Sequence, residues 1–366
     1  ARLASAFARG EFVLDARFED GHSAIEWWLT DDVGEAGEKI HTGRSRNDQI
    51  LVATRLFLRD GMDELRSRCL EIAALCLARA EAEMAMPGYT HLQHAVVSSL
   101  RLWFAGFAEA FAADAALAVD TRRWINSNPL GTAAGYGVSL PLARALTTER
   151  LGFERLQVNP VYAQNSRGRF ELQALTALLQ ALLDVRRLSW DLSLFATGEF
   201  AFVRFPARLT TGSSIMPNKR NPDPVELLRA APAAVTGAIA ELQNVLSLPS
   251  GYQRDLQNTK GPAVRGMLGG LGALRVTPEV IGAAQFDHAR MREALSPELY
   301  ATDVAYEYVA AGMPFRRAYQ EAAVAEEALA GRDPKASLAA RVSPGAPGAP
   351  MLDTLRERIT TLQAAR

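Results

Sequence analysis

Cysteine is nearly absent from this 366-residue chain: there are two, Cys69 and Cys76. They stand seven apart in what reads as one helix, about 10 Å along its axis, which is too far for a mutual disulfide. Both fall on an apolar stripe, so they are expected to be buried structural thiols, and a reducing cytoplasm suits such usage. Charge of one sign is not in excess either. The 40 basic and 41 acidic residues leave a net charge of −1, giving no general attraction for nucleic acid or a membrane surface. There is no HExxH motif, and His91 and His94 have no Cys or carboxylate partner at ligand spacing, so no metal site is expected. No apolar run is expected to approach the length of a membrane span, and no basic-plus-apolar signal peptide opens the chain. The chain begins at Ala1 rather than Met, which reads as a trimmed or partial sequence. Strand-like alternation is scarce, and no internal repeat stands out.

What is present is helical periodicity. Hydrophobic residues make up 48% and charged residues 22%, a globular composition with apolar material for a large core. The length admits one large or two to three ordinary domains. Residues 49–84 carry Leu58, Met62, Leu65, Cys69, Ile72 and Cys76 at alternating spacings of four and three, the seam of a helix packed along its length. A second helix is expected over 98–126, with Phe104, Phe107 and Phe111 on one face. A third runs over 170–200 with Leu175, Leu178, Leu182, Val185, Leu188, Leu192 and Phe195. A fourth, over 223–248, repeats Val235, Ile239, Leu242 and Leu246, and Pro232 should kink it. A less regular fifth occupies 257–274. The fold class is therefore all-α: a central long-helix bundle over 47–292, a partial N-terminal domain over 1–46 and a small C-terminal helical domain over 293–366. The segment 343–350, SPGAPGAP, reads as a flexible or polyproline-like linker before a last helix over 351–365. Such continuous seams offer more apolar face than one bundle needs, which points to an oligomer core.

Polar islands interrupt this pattern. In 211–223, TGSSIMPNKRNPD, Gly212 and Pro217 exclude a regular helix, and Asn221 and Asp223 each precede a proline. A helix should start there, with Asp223 as N-cap, Pro224 as first helical residue and Glu226 as capping-box partner. Ser213, Ser214, Lys219 and Asn221 beside a helix N-terminus favour a bound anion, although a capped surface loop has the same composition. In 40–49, IHTGRSRNDQ, two arginines with Asn47 and Asp48 either clamp a dicarboxylate or form a solvated helix start. PGYTHLQ at 87–93 is expected as a loop between the first two helices. NPLGTAAGYG at 128–137 is a Gly-rich turn without the strand context and lysine of a nucleotide loop. LPSGYQRDLQNTK at 248–260 reads as an amphipathic helix start.

The block GSSIMPNKRNPD resembles the signature of the fumarase/aspartase superfamily, whose members cleave a C–N or C–O bond and release fumarate. GRSRNDQ, GYTHLQ, the Gly-rich turn, LPSGYQRDLQNTK and residues 300–319 are similar to the argininosuccinate lyase family in particular. The resemblance covers residues 22 to about 319 in separated blocks. It implies a long-helix bundle of the fumarase/aspartase type that forms a cytoplasmic homotetramer. Each active site would draw its blocks from three chains, take a small-molecule substrate and use no cofactor. It implies catalytic roles for His91, Ser213 and Lys219, and substrate binding by Arg46, Asn47, Thr90, Asn221, Tyr252, Gln257 and Lys260. Ser214 stands in reserve for Ser213, and Glu226 either orients His91 or caps its own helix. Two departures stand out. The chain reads His94-Ala95-Val96-Val97 where the family commonly has RAQP, and the further N-terminal segment with which family members begin, a contributor to substrate binding, is missing. The implied reaction is the reversible elimination of fumarate from argininosuccinate, leaving arginine, a step of arginine biosynthesis. A sister lyase acting on adenylosuccinate, aspartate or malate, and a crystallin-like structural role, are the competing readings.

Overall fold

The structure is a computed structural model that describes residues 2–364. The elements used below, in chain order, are α1 (Gly21–Val33), α2 (Arg46–Arg79), β1 (Ala85–Thr90), β2 (Gln93–Ser99), α3 (Leu100–Ile125), α4 (Pro160–Asn165), α5 (Arg169–Phe195), α6 (Asp223–Ala230), α7 (Pro232–Val245), α8 (Lys260–Ala283), α9 (Ala301–Ala310), α10 (Phe315–Ala322), α11 (Pro334–Ala340) and α12 (Leu352–Ala364). The fold is all-α, as the periodicity requires. Among the described residues the only sheets are two-stranded: β1 with β2, Ser127–Asn128 with Arg155–Leu156, and Val203–Arg204 with Gln285–Phe286.

The apolar seams are the buried faces. Leu58, Met62, Leu65, Cys69, Ile72 and Cys76 of α2 are fully buried, as are Leu175, Leu178, Leu182, Val185 and Leu188 of α5. Both cysteines are free thiols, and burial pushes Cys76 up to about 12, so they are inert packing residues. On α7 the buried stripe is Val235, Ala238 and Leu242, whereas Ile239 and Leu246 are half-buried. The kinked helix expected over 223–248 is two abutting helices, α6 and α7. Pro232 opens the second, where its missing N–H leaves no bond unmade.

Four expectations are corrected. Residues 87–93 do not form a plain loop but the arms and tip of the β1–β2 hairpin. The stretch 343–350 is a closed turn, with Gly345 N donating to Ala349 O at 2.9 Å and Gly348 N to Arg341 O at 3.0 Å. One helix, α3, is long and apolar enough by length and composition to cross a membrane; half of its most apolar window is buried against protein. The capping box at 223–226 does not form, because Pro222 occupies the N-cap position and makes no side-chain cap. Residue 365 of the expected last helix lies outside the described residues.

The chain forms two compact units. The first comprises the described residues up to Asp60, Arg123–Leu172 and Leu242–Gly261; the second comprises Gly61–Arg122, Gln173–Glu241 and the described residues from Pro262 onward. In the second, glycines on α8 set how closely its neighbours approach. A Cβ at Gly266 would lie 2.9 Å from Leu175 Cδ2 and 3.2 Å from Ala238 Cβ, and one at Gly270 only 2.6 Å from Leu178 Cδ2. The C-terminal helices pack on the hairpin: Leu299, Tyr300, Val304, Ala305 and Leu338 enclose Ala85 and Val97. Arg341 adds polar anchoring, pairing with Asp303 at 3.0 Å and donating to the Val97 carbonyl.

The first unit has a charged core. Arg55, 1% exposed, lies 3.5 Å over the Phe170 ring and donates to Ser127 Oγ at 3.2 Å and Ser166 Oγ at 3.0 Å. Burial lowers its pKa to about 9, opposed by the charge of Glu171.

Asp114 of α3, in the second unit, generates a testable consequence. It is buried, its Oδ2 has no hydrogen-bond partner, and burial, reinforced by the charge of Asp184, raises its pKa to about 7. The folded state therefore holds a proton that the unfolded chain releases near pH 4. Its stabilising contribution is complete below about pH 4 and is lost as pH rises through about 7. Urea midpoints measured at pH 5 and pH 8 should differ less in Asp114→Asn than in the parent. Equal pH dependence in the two proteins would refute the assignment.

Candidate active site

In the first unit the polar island before α2 becomes a helix start. Ser45 Oγ accepts from Asn47 N at 3.2 Å, and Asp48 Oδ1 accepts from Ser45 N at 2.9 Å, a reciprocal cap. The other oxygen of Asp48 takes Gly131 N at 2.9 Å and Ala133 N at 3.1 Å, binding the Gly-rich turn to the same helix end. Asp48 is fully buried, and burial raises its pKa despite those three N–H bonds. Asn47 is half-buried beside it. Arg46 points to the start of α1, pairing with Glu19 at 2.9 Å and Asp20 at 3.4 Å and donating to Ser23 Oγ at 3.1 Å.

The segment 248–260 lies in the same unit. Lys260 Nζ donates to Gln257 Oε1 at 3.0 Å, and Gln257 Nε2 donates to the Tyr252 hydroxyl at 2.8 Å. So Tyr252, Gln257 and Lys260 form one hydrogen-bonded row. The end of α4 joins this row to the Gly-rich turn: Asn165 Oδ1 accepts from Gly251 N at 2.7 Å, and Gln164 donates to Ala133 O at 3.1 Å.

In the second unit, Thr90 and His91 sit at the exposed tip of the hairpin. Thr90 pairs with Gln93, leaving His91 and Leu92 as a two-residue turn with φ values of 55° and 58°. That turn normally favours Asn-Gly, and bulkier side chains there cost about 1–2 kcal/mol each. The strain falls on the histidine that the sequence singles out. Tyr89 braces the arms, its ring 5.2 Å from His94 and 5.4 Å from Phe200. Beneath the tip is a cavity of about 480 Å³ lined by Thr90, His91, Trp103, Asp191, Phe195 and Phe200. Trp103 Nε1 donates to Asp191 at 2.8 Å, and burial raises the Asp191 pKa.

The 211–221 loop belongs to the second unit as well. Thr211 and Asn221 close its base with paired backbone bonds of 3.0 and 2.8 Å. Inside it Ser213 Oγ accepts from Ile215 N at 3.3 Å and Met216 N at 3.1 Å. Two N–H donors on one hydroxyl oxygen favour its anionic form. Ser214 and Lys219 are exposed, Asn221 is half-buried at the base, and Glu226 is exposed on α6. Asp223, expected as a cap, instead accepts from the Thr211 hydroxyl.

The structure thus gathers Arg46, Asn47, Tyr252, Gln257 and Lys260 in one unit and Thr90, His91, Ser213, Ser214, Lys219, Asn221 and Glu226 in the other. Reading the sequence missed the organising role of Asp48, although its place three residues after Ser45 is a capping-box signal. Among the described residues no cluster of His, Cys, Asp and Glu is placed to hold a metal ion.

The class of the protein is that of a lyase: a lyase family model matches residues 2–237, which include the serine–lysine–asparagine loop. The argininosuccinate lyase of Xanthomonas campestris pv. campestris (strain B100) is 58% identical over 364 residues, 99% of this chain and 84% of that protein. That of Xylella fastidiosa (strain 9a5c) is 57% identical over 363 residues, 98% of this chain and 82% of that one. Among solved structures, EDDS lyase in complex with formate superposes with a TM-score of 0.83 at 24% identity, covering 99% of this chain and 79% of that one. A fumarate lyase from Mesorhizobium sp. BNC1 does so with a TM-score of 0.68 at 20% identity, covering 99% and 89%. The chain belongs to the argininosuccinate lyase family of the fumarase/aspartase superfamily.

Removing the Asp48 carboxylate would leave the buried Gly131 and half-buried Ala133 N–H groups without an acceptor. Asp48→Ala should lower unfolding stability by about 3 kcal/mol, with Asp48→Asn intermediate. A loss under about 1 kcal/mol in urea titration would show that the turn does not depend on it.

Proposed function

We propose that this protein cleaves argininosuccinate to arginine and fumarate, as a carbon–nitrogen lyase of arginine biosynthesis. The observation that carries the reading is Ser213: its oxygen accepts two backbone N–H groups in a loop that also carries Lys219 and Asn221. The reaction removes a weakly acidic proton next to a carboxylate, and the resulting dianion must be stabilised before the guanidinium leaves. Lys219, Asn221 and loop N–H groups suit the succinyl carboxylates. Ser213 and His91 are the proton-transfer groups, with Thr90 beside His91 for substrate. Arg46 and Asn47, with the row Tyr252, Gln257 and Lys260, take the remaining arginine half of the substrate. Glu226 and Ser214 support the loop and its helix.

In this reading the enzyme is a cytoplasmic homotetramer. Supporting it is an apolar ridge on α8: Val264, Leu268 and Val276 are 41, 53 and 45% exposed at spacings of four and eight, with Gly272 between. Leu183, Trp190 and Leu227 are further exposed apolar residues of the second unit, of the kind a subunit interface covers. Helix length supports sites shared between chains. The 34 residues of α2 make it about 50 Å long, far longer than the substrate, so blocks at opposite ends of such helices are completed by a neighbour.

Two experiments test this. Ser213→Ala should cut the rate of fumarate appearance, followed by ultraviolet absorbance, on the order of 10³-fold without loss of fold. Near-normal turnover would exclude Ser213 and pass its role to Ser214. Inactive His91→Ala and Ser213→Ala proteins, mixed under dissociating conditions and reassociated, should regain roughly a quarter of parental activity as hybrid sites inherit neither change. If verified hybrids stay inactive, each site is built within one chain.

A further inference from the structure

Arg167 stands between α4 and α5, in the first unit, and is 1% exposed. Its backbone position is fixed by Gly168, whose φ of +83° and close approach to Leu246, 2.5 Å from a would-be Cβ, admit only glycine. The side chain makes one weak bond, Nε to Thr259 Oγ1 at 3.5 Å. Neither Nη1 nor Nη2 meets a protein acceptor. The guanidinium carbon lies 5.9 Å from the centroid of the Tyr252 ring, which covers it.

The charge count around it is unbalanced. Arg55 and Arg167 are both buried cations, and Glu171 is the carboxylate whose charge acts on each of them. Glu171 feels Arg55 more strongly than Arg167 and also accepts from Gly168 N at 2.9 Å. One positive charge is left over, and it sits on the group with open donors. A buried water would satisfy the donors but not the charge. A carboxylate does both, with the planar two-donor fit that arginine favours.

We propose that Arg167 is a substrate-binding residue whose Nη pair takes the α-carboxylate of the arginine half, entering beside the Tyr252 ring. This rests on the reading of Tyr252, Gln257 and Lys260 as the holders of that half. Nothing in the sequence marks Arg167: NSRGRF carries two arginines, and only the fold shows which one is buried without an acceptor.

The test is calorimetric binding of arginine and of agmatine, its decarboxylated analogue, to the full-length enzyme. The parent should prefer arginine by about 20-fold or more, the worth of a charge-assisted pair. In Arg167→Met that preference should fall to within about threefold, with agmatine binding and the melting temperature held or raised, since an unpaired buried charge is removed. Arg167→Lys, the safeguard if the methionine variant fails to fold, should recover part of the preference. In turnover, KM should rise with kcat changed far less. An unchanged preference in either folded variant overturns the proposal. Lys260→Met separates the two levels of the argument: if it weakens arginine while Arg167→Met does not, the Arg167 assignment alone falls. If Lys260→Met has no effect on arginine binding, the reading of the row fails and takes the proposal with it.

Discussion

The close approach of helices in the second unit is the constraint on which the rest depends. Gly266 and Gly270 of α8 face Leu175 and Leu178 of α5 at distances that leave no room for a methyl group. Interiors at crystal-like packing density forfeit dispersion energy when such a contact opens by even half an ångström. The α8 backbone is therefore pressed onto the α5 seam, and its opposite side, with Val264, Leu268 and Val276, is left as an apolar ridge. One face of α8 closes the unit, while the other stays exposed.

The polar segments are held in place by different devices. The hairpin that carries His91 has strained φ values at its tip, held by Tyr89 stacking and by the C-terminal cluster on Ala85 and Val97. Strain of that size persists only where surrounding packing over-determines the backbone. The Gly-rich turn is instead tied to the start of α2 by one buried carboxylate, Asp48, which accepts N–H groups from the turn and from Ser45. Both devices place a polar group through contacts that lie outside the chemistry.

Long apolar seams were legible in the sequence because spacings of three and four over about five turns admit one reading, and Leu58, Met62, Leu65, Cys69, Ile72 and Cys76 are buried as that pattern requires. The hairpin was not. Its first strand contains Pro87 and Gly88, both strand-breaking signals, and its turn is His-Leu rather than Asn-Gly. SPGAPGAP has the composition of a linker, yet Gly348 lies so close to Ala339 and Arg341 that it closes a turn. The candidate site residues stand out in the sequence as blocks, because their resemblance is local in sequence. Arg167 does not, because what distinguishes it is burial and partner count, which sequence spacing does not encode; Asp48 shows only as the acidic residue three after Ser45.

The serine loop bears on how the chemistry is organised. Two N–H groups converge on Ser213 Oγ, so the loop is already shaped for negative charge on that oxygen. Yet Ile215 is 82% exposed, and Ser214 and Lys219 are exposed too. In water those dipoles and that cation are screened and contribute little; under low dielectric they are several times stronger. In the proposed reading an alkoxide at Ser213 would require the loop to be covered, and its exposed Ile215 and Met216 are apolar groups suited to packing under a cover. The same covering that excludes water would bring the succinyl carboxylates against Lys219 and Asn221. In that reading closure, charge stabilisation and activation of the serine would be one event in a loop whose base is closed by the Thr211–Asn221 backbone bonds.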